Sequence, residues 1–496
     1  MEVEILSEIY SFIVIGSGVV GNAVARELTK YTIEGEDKIN VAVLEKELDV
    51  CCETSARNSG VLHAGFNNKV GSKMAKLCVE GNLEFDRIAE ELDIPFKRTG
   101  KVVVGFTDDD KERLIKMKEL GDENGCPGLE IIDKNRIKEL CPNIEGEFAM
   151  FSPMTGVLNP FEYTIALAEN AHKNGVEYFF GNEVKNIKRE NGIYDLKTNN
   201  GEFKCKWIIN CAGLNSDKVA KMIGINDYTI FPCRGEYFIL DKKVGNLLNI
   251  PAYPVPNPKA GGLGIHLTPS VDGNVLIGPS SEYINDNDDY AVTQPTMDML
   301  IEEGSKIFPY IKKEDFIRNF VGIRPKLTSK EKGGYGDFVI ERREEAPNSI
   351  NLVGIESPGL TSALPIAREV IRLIKEVVDL KDNKDFNPIR KGHLKFAEQP
   401  IVIQKELIEE NRDYGEIICR CESITKAEII EAINNPLGVE TITGIKYRCR
   451  SMMGRCQGGY CQTRITELLM QEKDKKREEV IYSRSGGNMF TGKVRE

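Results

Sequence analysis

The sequence predicts an α/β protein with a Rossmann-like dinucleotide-binding domain, an inserted α+β domain and a small cysteine-rich domain. Two motifs carry this prediction: a glycine-rich turn that begins at Gly16, and four closely spaced cysteines between Cys419 and Cys461. Strand-like and helix-like segments alternate between the two motifs, and no internal repeat is visible. Such alternation is typical of a sheet that is covered by helices.

The glycine-rich turn has the order strand, turn, helix that a dinucleotide site requires. Gly16, Gly18 and Gly21 follow an apolar strand with the spacing G-x-G-x-x-G. The first glycine permits the tight turn, the second lets the backbone approach the pyrophosphate, and the third lets the helix pack closely on the strand. A second apolar strand ends in Glu45, whose carboxylate we expect to accept hydrogen bonds from the adenosine ribose.

The cysteines form two close pairs, Cys419 with Cys421 and Cys456 with Cys461. Paired thiolates bind zinc or an iron–sulfur cluster. Zinc sites usually separate paired ligands by about two to four residues, which disfavours zinc for the first pair. Glycines and arginines surround the second pair and suit an anionic cluster, so an iron–sulfur cluster is favoured over zinc and over disulfides. Cys449 is interpreted as a packing or spare thiol.

The amino-acid composition limits which partners and which cellular compartment are expected for the protein. The chain has 496 residues and a formal net charge of −11, which argues against nucleic acid because its binding depends on clustered Lys and Arg. No apolar stretch reaches the length of about 18 residues that a membrane-spanning helix needs. Residues 1–10 carry no basic segment, so we expect no secretory signal. Together with 13 cysteines, this predicts a reducing, cytoplasmic location.

Shifts in composition along the chain predict the domain boundaries. Alternating β-branched and aromatic residues, as at 236–240, mark a separate substrate domain, and the charged run at 381–385 marks a linker. The assigned ranges are 1–90, 150–224 and 320–380 for the dinucleotide-binding domain, 91–149 and 225–319 for the substrate domain, 381–414 for the linker, 415–470 for the cysteine-rich domain, and 471–496 for a polar tail, docked or mobile.

The segment Thr54–Gly65, with the sequence TSARNSGVLHAG, resembles the D-amino-acid oxidase (DAO) superfamily of FAD enzymes. Gly322–Pro325 and Gly354–Ala363 carry the same resemblance, which covers residues 11–375 and is strongest to the L-2-hydroxyglutarate and glycerol-3-phosphate dehydrogenase families. Residues 415–469 resemble the bacterioferritin-associated-ferredoxin (BFD) type of [2Fe-2S] domain. Together, the two parts are similar to the catalytic A subunits of anaerobic glycerol-3-phosphate dehydrogenases. The first domain is therefore expected to bind FAD, and the last to be a BFD-like iron–sulfur domain.

The resemblance implies an extended FAD, with the Ser55–His63 segment beside the pyrophosphate and the flavin. It also implies that Val184 offers backbone groups to the adenine and that Thr361 lies in a loop that closes over the ring, where it can cap a helix facing the flavin. For Ser55 and Asn58, ordinary turn chemistry is the alternative. Besides the glycine-rich turn and Glu45, the residues assigned to FAD are Ser55, Asn58, Ser59, Val184, Gly213, Gly359, Leu360 and Thr361.

Two histidines and two arginines are the candidates for substrate chemistry. His63 lies in the motif of the resemblance and His266 in the predicted substrate domain, and either can accept a hydroxyl proton. His266 is also a candidate for substrate binding. Arg324, a catalytic candidate as well, and Arg234 can bind an anionic group, because a guanidinium binds carboxylate or phosphate bidentately. The alternatives are structural histidines and ordinary ion pairs.

These assignments imply an FAD-dependent dehydrogenase that oxidises a secondary alcohol of a small anionic substrate. Glycerol 3-phosphate, giving dihydroxyacetone phosphate, is the first candidate. The alternatives are L-2-hydroxyglutarate or another 2-hydroxy acid, an amino or imino acid, and a noncatalytic electron-transfer subunit. Electrons would leave through the [2Fe-2S] cluster to an acceptor protein or partner subunits, and any membrane association would be peripheral, through such a partner.

Overall fold

The structure is a computed structural model that describes residues 9–33, 39–256 and 264–492. The first residues, on which the expectation about a secretory signal rests, lie largely outside this range.

Strands and helices alternate along much of the described chain. The strands are β1 Ile9–Ile15, β2 Tyr31–Ile33, β3 Val41–Leu44, β4 Val61–Leu62, β5 Phe96–Lys97, β6 Lys101–Gly105, β7 Glu130–Asp133, β8 Phe148–Ser152, β9 Gly156–Leu158, β10 Glu177–Phe179, β11 Val184–Glu190, β12 Ile193–Thr198, β13 Glu202–Asn210, β14 Phe231–Leu240, β15 Ala252–Pro254, β16 His266–Pro269, β17 Val275–Gly278, β18 Glu282–Tyr283, β19 Phe316–Lys326, β20 Val339–Glu341, β21 Ser349–Val353, β22 Leu380–Asp382, β23 Ile417–Cys419 and β24 Ile424–Thr425. The helices are α1 Val19–Leu28, α2 Lys73–Leu92, α3 Asp108–Glu123, α4 Lys134–Leu140, α5 Pro160–Lys173, α6 Ser216–Met222, α7 Gln294–Ile307, α8 Gly359–Lys375, α9 Ile401–Glu410, α10 Lys426–Ile433, α11 Ile442–Cys449 and α12 Gln462–Glu472.

The first sheet is the Rossmann-like core. Strands β10, β3, β1, β13 and β21 run parallel in this order, and β20 pairs antiparallel with β21. The antiparallel hairpin of β11 and β12 pairs with the first residues of β13. Phe12 and Val14 of β1 pack in one apolar cluster, and Ile13 and Ile15 pack in another. Because both faces of the sheet are buried, β3 and most of β1 are apolar, and the predicted fold class is confirmed.

The second sheet belongs to the substrate domain and is mostly antiparallel. Its order is β18, β14, β17, β16, β15, β6, β8, β7, and β19 pairs with the other edge of β14. Two of its strands cross the boundaries that composition suggests: β8 continues to Ser152 opposite Lys101, and β19 continues to Lys326 opposite Phe231. The hydrogen-bond ladder decides where these strands end, and composition does not mark that position.

The predicted linker contacts the first domain and the beginning of the range predicted for the substrate domain. The Arg390 guanidinium lies 2.6 Å from the Glu169 carboxylate, and the Gly392 amide donates to the Asp93 carboxylate at 2.9 Å. The segment also contains α9. Its charged composition therefore reflects ion pairs with the dinucleotide-binding domain and an exposed helix.

The C-terminal domain packs α10, α11 and α12 beside the short pair of β23 and β24. The Thr425 hydroxyl accepts from the Glu428 amide at 3.3 Å, while the Glu428 carboxylate accepts from the Thr425 amide at 2.8 Å, so a capping box begins α10. The described part of the tail is docked: Val480 is fully buried and Ile481 pairs with Thr441. Within residues 9–33, 39–256 and 264–492, no helix is both long enough and apolar enough to cross a membrane.

Candidate active site and iron–sulfur site

A cavity of about 980 Å³ is lined by residues of both sheets. It brings together most of the residues that the sequence singles out for cofactor and substrate. Those that line it are Gly16, Gly18, Gly21, Glu45, Ser55, Asn58, Ser59, His63, Val184, Gly213, His266, Arg324, Gly359 and Leu360. Arg234 and Thr361 are not among the lining residues. The roles of all these residues stay predictions.

The glycine-rich turn forms a close backbone junction at one end of the cavity. Gly16 has φ +107°, and a Cβ there would lie 2.5 Å from the carbonyl oxygen of Cys211. A Cβ on Gly21 would lie 2.0 Å from the Gly16 carbonyl oxygen. The amide of Val19 at the start of α1 donates to the Ser55 hydroxyl at 2.9 Å. A helix N-terminus, a nearby hydroxyl and a turn that admits only glycine fit the pyrophosphate of a dinucleotide.

The Glu45 carboxylate lies at the end of β3 and is held by the backbone. It accepts from the amides of Ser17 at 2.7 Å and Glu47 at 2.9 Å. Burial raises the pKa of Glu45 to about 7, and these two hydrogen bonds oppose that rise. Val184 and Asn182 line the same cavity, and the Asn182 amide donates to the backbone carbonyl oxygen of Glu45 at 2.7 Å. This arrangement fits the ribose and adenine of FAD.

Asn58 shapes the turn that leads to His63. Its side-chain amide donates to the Ser55 carbonyl at 2.8 Å, and its side-chain oxygen accepts from the Gly60 amide at 2.9 Å. These contacts match ordinary turn chemistry, which the sequence left as the alternative. Ser55 differs, because its hydroxyl reaches the start of α1.

Thr361 does not cap a helix. Helix α8 begins at Gly359 with Pro358 at the N-cap, so Thr361 lies within the first turn. Its hydroxyl accepts from the amide of His63 at 2.9 Å instead. The prediction of a Thr361 cap is therefore wrong. The hydroxyl joins the first turn of α8 to the segment that carries the candidate base.

His266 is buried and His63 is half-buried, and both imidazoles are neutral near pH 7. Burial lowers the pKa of His266 to about 3 and that of His63 well below its usual range, and the charge of Lys101 lowers both further. The Nδ1 of His266 lies 3.1 Å from the carbonyl oxygen of Gly264, a contact in which the ring donates. Its Nε2 is then left as the proton acceptor. The Nε2 of His63 lies 3.4 Å from the Ser357 hydroxyl.

Arg324 carries a guanidinium that is available to an anion. Its Nη2 donates to the Ser280 carbonyl at 2.8 Å, and its Nε is buried without a hydrogen-bond partner. Among the residues that the structure describes, no carboxylate lies within ion-pair distance of Arg324. An anionic substrate group that entered the cavity would find an unpaired donor here.

Arg234 is placed elsewhere. Its guanidinium lies 2.6 Å from Glu282, 2.7 Å from Asp289 and 3.6 Å from Glu236. The register explains this placement: Cys233, not Arg234, lies opposite Arg324 on the paired strands β14 and β19. Neighbouring residues of a strand point to opposite faces, so Arg234 faces away from the cavity. The prediction that Arg234 binds substrate does not fit this geometry.

The sequence reasoning missed Lys101 and Tyr253, which also line the cavity. Lys101 is only 2% exposed, and its ammonium lies 4.2 Å from the centre of the Tyr253 ring. The His266 ring stacks on the same tyrosine with centroids 3.8 Å apart. A signal for Lys101 existed: it begins the strand KVVVG, which is apolar otherwise and buried throughout.

The four predicted ligands form two contacting thiol pairs, Cys419 with Cys461 and Cys421 with Cys456. Hydrogen bonding from the Cys461 thiol lowers the pKa of Cys419 to about 6, which favours a thiolate. Among the described residues, no group of three or more cysteines, histidines or carboxylates could hold one metal ion. Two separate thiol pairs instead fit a binuclear cluster, in which each iron takes two thiolates. Cys449 stands apart, with its thiol 3.3 Å from the Ile445 carbonyl oxygen.

Comparisons with known proteins agree with both predicted cofactors. Residues 11–373 match the family model described as FAD dependent oxidoreductase (DAO), and residues 417–471 match the BFD-like [2Fe-2S] binding domain. A glycerol 3-phosphate dehydrogenase of Caloramator mitchellensis is 40% identical over 482 residues, covering 97% of this chain and 98% of that protein. A mitochondrial L-2-hydroxyglutarate dehydrogenase of Nematostella vectensis is 31% identical, covering 73% of this chain and 90% of that protein.

Among solved structures, the FAD-bound L-α-glycerophosphate oxidase of Mycoplasma pneumoniae is similar, with a TM-score of 0.71 and 28% identity. The match covers 77% of this chain and 98% of that structure. Together with the residues that fit each cofactor, these findings identify FAD and a [2Fe-2S] cluster as the cofactors. The chain belongs to the DAO family of FAD-dependent oxidoreductases and carries a BFD-like [2Fe-2S] domain at its C-terminal end.

Proposed function

We propose that the protein oxidises the secondary alcohol of a small anionic substrate, and that this substrate is glycerol 3-phosphate, which becomes dihydroxyacetone phosphate. One observation carries the proposal: neutral His63 and His266 line the same cavity as the unpaired guanidinium of Arg324 and the dinucleotide turn. The relative from Caloramator mitchellensis, which is similar over nearly the whole chain, supports the choice of substrate.

In this proposal, Arg324 binds the anionic group and a neutral imidazole accepts the hydroxyl proton. A histidine whose pKa lies far below 7 stays deprotonated in the resting site, so it is ready to act as a base. Tyr253 and Ser357 line the same cavity beside the two imidazoles. When bound, FAD supplies the hydride acceptor and the cluster carries electrons singly.

Electron export through the cluster is supported by the way the iron–sulfur domain docks. The Tyr447 ring of α11 stacks on Phe161 of α5 with centroids 4.3 Å apart and an interplanar angle of 9°. Helix α11 ends at Cys449, inside the apolar cluster that contains Cys419 and Cys461. A fixed contact of this kind holds the distance between two redox cofactors constant.

A partner protein or subunit is the proposed acceptor. Cys421 is exposed and Tyr460, beside Cys461, is 77% exposed, whereas Cys419 and Cys461 are buried. The Cys421 side of the cluster is therefore the side that an acceptor can approach. None of the 13 cysteines forms a disulfide, which supports a reducing, cytoplasmic location.

The second candidate substrate is L-2-hydroxyglutarate or a related 2-hydroxy acid. The specific observation in its favour is the set of L-2-hydroxyglutarate dehydrogenases that are similar over about three quarters of the chain, at 27–32% identity. Arg324 would then bind a carboxylate in place of a phosphate.

Anaerobic mixing of the FAD-loaded protein with single substrates tests the proposal. Glycerol 3-phosphate should bleach the flavin absorbance faster, and at lower concentration, than L-2-hydroxyglutarate, other hydroxy acids or amino acids. Bleaching by L-2-hydroxyglutarate alone would shift the assignment to the second candidate. Flavin that no compound of the panel reduces, in protein with full FAD and iron content, would contradict a catalytic role.

A further inference from the structure

Lys101 is a buried cation at the wall of the cavity, at the start of β6. Its side chain is covered by two aromatic rings, with the ammonium 4.2 Å from the centroid of Tyr253 and 4.4 Å from that of Phe66. Aromatic faces attract a cation, but they do not neutralise its charge. The site therefore accommodates an ammonium group without supplying a counter-ion.

No anionic group of the described residues faces this ammonium. The titratable groups around it are the thiols of Cys78 on α2 and Cys126 after α3, the imidazoles of His63 and His266, and the phenol of Tyr253 on β15. Burial raises the pKa of Cys78, Cys126 and Tyr253 and lowers the pKa of both histidines, so all five are neutral near pH 7. In the described part of the chain, no carboxylate forms an ion pair with Lys101.

A buried charge without a partner is costly, and proteins generally avoid it. Burial lowers the pKa of Lys101 to about 7, as expected for a desolvated ammonium. An anion that entered the cavity would supply the missing partner and favour the charged form. The position of Lys101 is therefore better explained by ligand binding than by the stability of the fold.

In the second sheet, the strand that begins with His266, β16, lies between β6, which carries Lys101, and β19, which carries Arg324. The positive charges of Lys101 and Arg324 both lower the pKa of His266. The pKa of His63 is lowered by the charge of Lys101 but not by that of Arg324. Arg324 is also not among the groups whose charges act on Lys101. A ligand held beside the histidines can thus meet a cation at each end.

We propose that Lys101 is a second anion-binding residue of the substrate site, which contacts a phosphate or carboxylate oxygen on the side of the histidines away from Arg324. This assignment rests on the proposed function only in taking the substrate to be a small anion. It predicts that substrate binding is accompanied by proton uptake above pH 7, because the bound anion requires the ammonium form.

Sulfate binding to the FAD-loaded, oxidised protein tests the assignment without catalysis. Isothermal titration calorimetry of Lys101→Gln should show at least tenfold weaker sulfate affinity than the parent protein, at unchanged flavin content. Lys111→Gln is the matched control, because Lys111 also lies over an aromatic ring, 4.5 Å from the centre of Phe148, but does not line the cavity. Equal sulfate affinity in the parent and Lys101→Gln would overturn the proposal.

The pH dependence of sulfate binding provides a test on the unaltered protein. Sulfate keeps its charge between pH 6 and 9, so any change in affinity with pH comes from the ionisation of groups in the protein. Affinity should be constant below pH 7 and fall by up to about tenfold per pH unit above it. Lys101→Met, which keeps most of the length of the lysine side chain but has no charge, should bind sulfate weakly at every pH. Parent affinity that does not change with pH would contradict the assignment even if the variants fail to fold.

These results can be separated from those of the substrate panel. If Lys101→Gln loses sulfate affinity and no hydroxy compound reduces the flavin, the anion site is supported and the proposed function is contradicted. If glycerol 3-phosphate reduces the flavin rapidly and Lys101→Gln binds sulfate as tightly as the parent protein does, the proposed function is supported and the anion site is contradicted. In an active enzyme, Lys101→Gln should raise KM by at least tenfold and change kcat far less.

Discussion

The guanidinium of Arg448 on α11 lies 2.6 and 2.9 Å from the two carboxylate oxygens of Asp49, in the segment after β3. The two side chains are 1% and 4% exposed. This bidentate pair joins the iron–sulfur domain to the FAD-binding domain at a buried position. The residues are 399 positions apart in the chain, so only the docked arrangement of the domains brings them together.

We expect Asp49→Ala to weaken this docking, because it leaves the Arg448 charge buried without its partner. Such a loss costs about 3–5 kcal/mol. The thermal unfolding midpoint should fall, and electron transfer from flavin to cluster should slow in anaerobic stopped-flow mixing. Arg464→Gln is the control: its ion pair with Glu416 has a 50% exposed arginine and should contribute less than about 1 kcal/mol. Similar effects of the two substitutions would contradict a special role for the buried pair.

Cys456→Ser should remove the cluster and leave the flavin chemistry intact. A serine hydroxyl is a poor substitute for the thiolate, so the iron content, the visible absorbance of the cluster and its electron paramagnetic resonance signal should be lost. Flavin reduction by substrate in a single turnover should persist. Cys449→Ser should retain both properties, because that thiol lies outside the two pairs. Loss of the cluster in Cys449→Ser, or protein purified with zinc and no iron, would show that the ligand set is wrong.

Arg324→Ala should raise KM by at least tenfold without changing the flavin content, since it removes the unpaired guanidinium from the cavity. Steady-state kinetics with the substrate that reduces the flavin provide the measurement. Arg136→Ala, which removes a 52% exposed arginine of α4, serves as a control with parent kinetics. Parent values of KM for Arg324→Ala would exclude the residue from anion binding.

The pH dependence of kcat should lack an acidic limb near pH 6.5. The pKa values of His63 and His266 are both lowered by burial, so either histidine stays deprotonated and active as pH falls from 8 towards 5. Rates at saturating substrate across this range are the measurement. His63→Gln and His266→Gln then identify the base, whose loss should slow flavin reduction by on the order of 100-fold. An unchanged rate in both variants would eliminate histidine as the base.

Glu45→Arg should weaken FAD retention, because it replaces the carboxylate at the ribose end of the cavity with a bulky cation. It also removes the acceptor for the amides of Ser17 and Glu47. The ratio of flavin absorbance to protein absorbance after purification measures the loss. Glu190→Arg, an exposed position on β11 outside the cavity, should retain full flavin. Full flavin in Glu45→Arg would refute the ribose assignment.

The cofactors could be predicted from the sequence because both motifs are local. Gly16, Gly18 and Gly21 span six residues, and in the sequence Cys419 lies two positions from Cys421 and Cys456 five positions from Cys461. Backbone geometry and ligand chemistry act over that range, so the motifs and the resemblance of residues 54–65 suffice for the fold class and for both cofactors.

The residues on the substrate side of the cavity could be assigned only from the tertiary structure. From sequence, Arg234 and Arg324 are equivalent candidates for anion binding. The register of β14 against β19 directs Arg324 towards the cavity and Arg234 towards three carboxylates. The sequence marks Lys101 as a charged residue at the start of an apolar strand, but its lack of a counter-ion is a property of the residues from α2, β15 and β16 that surround it. Motifs are determined by chain neighbours, whereas burial and unpaired charge are determined by residues that only folding brings together.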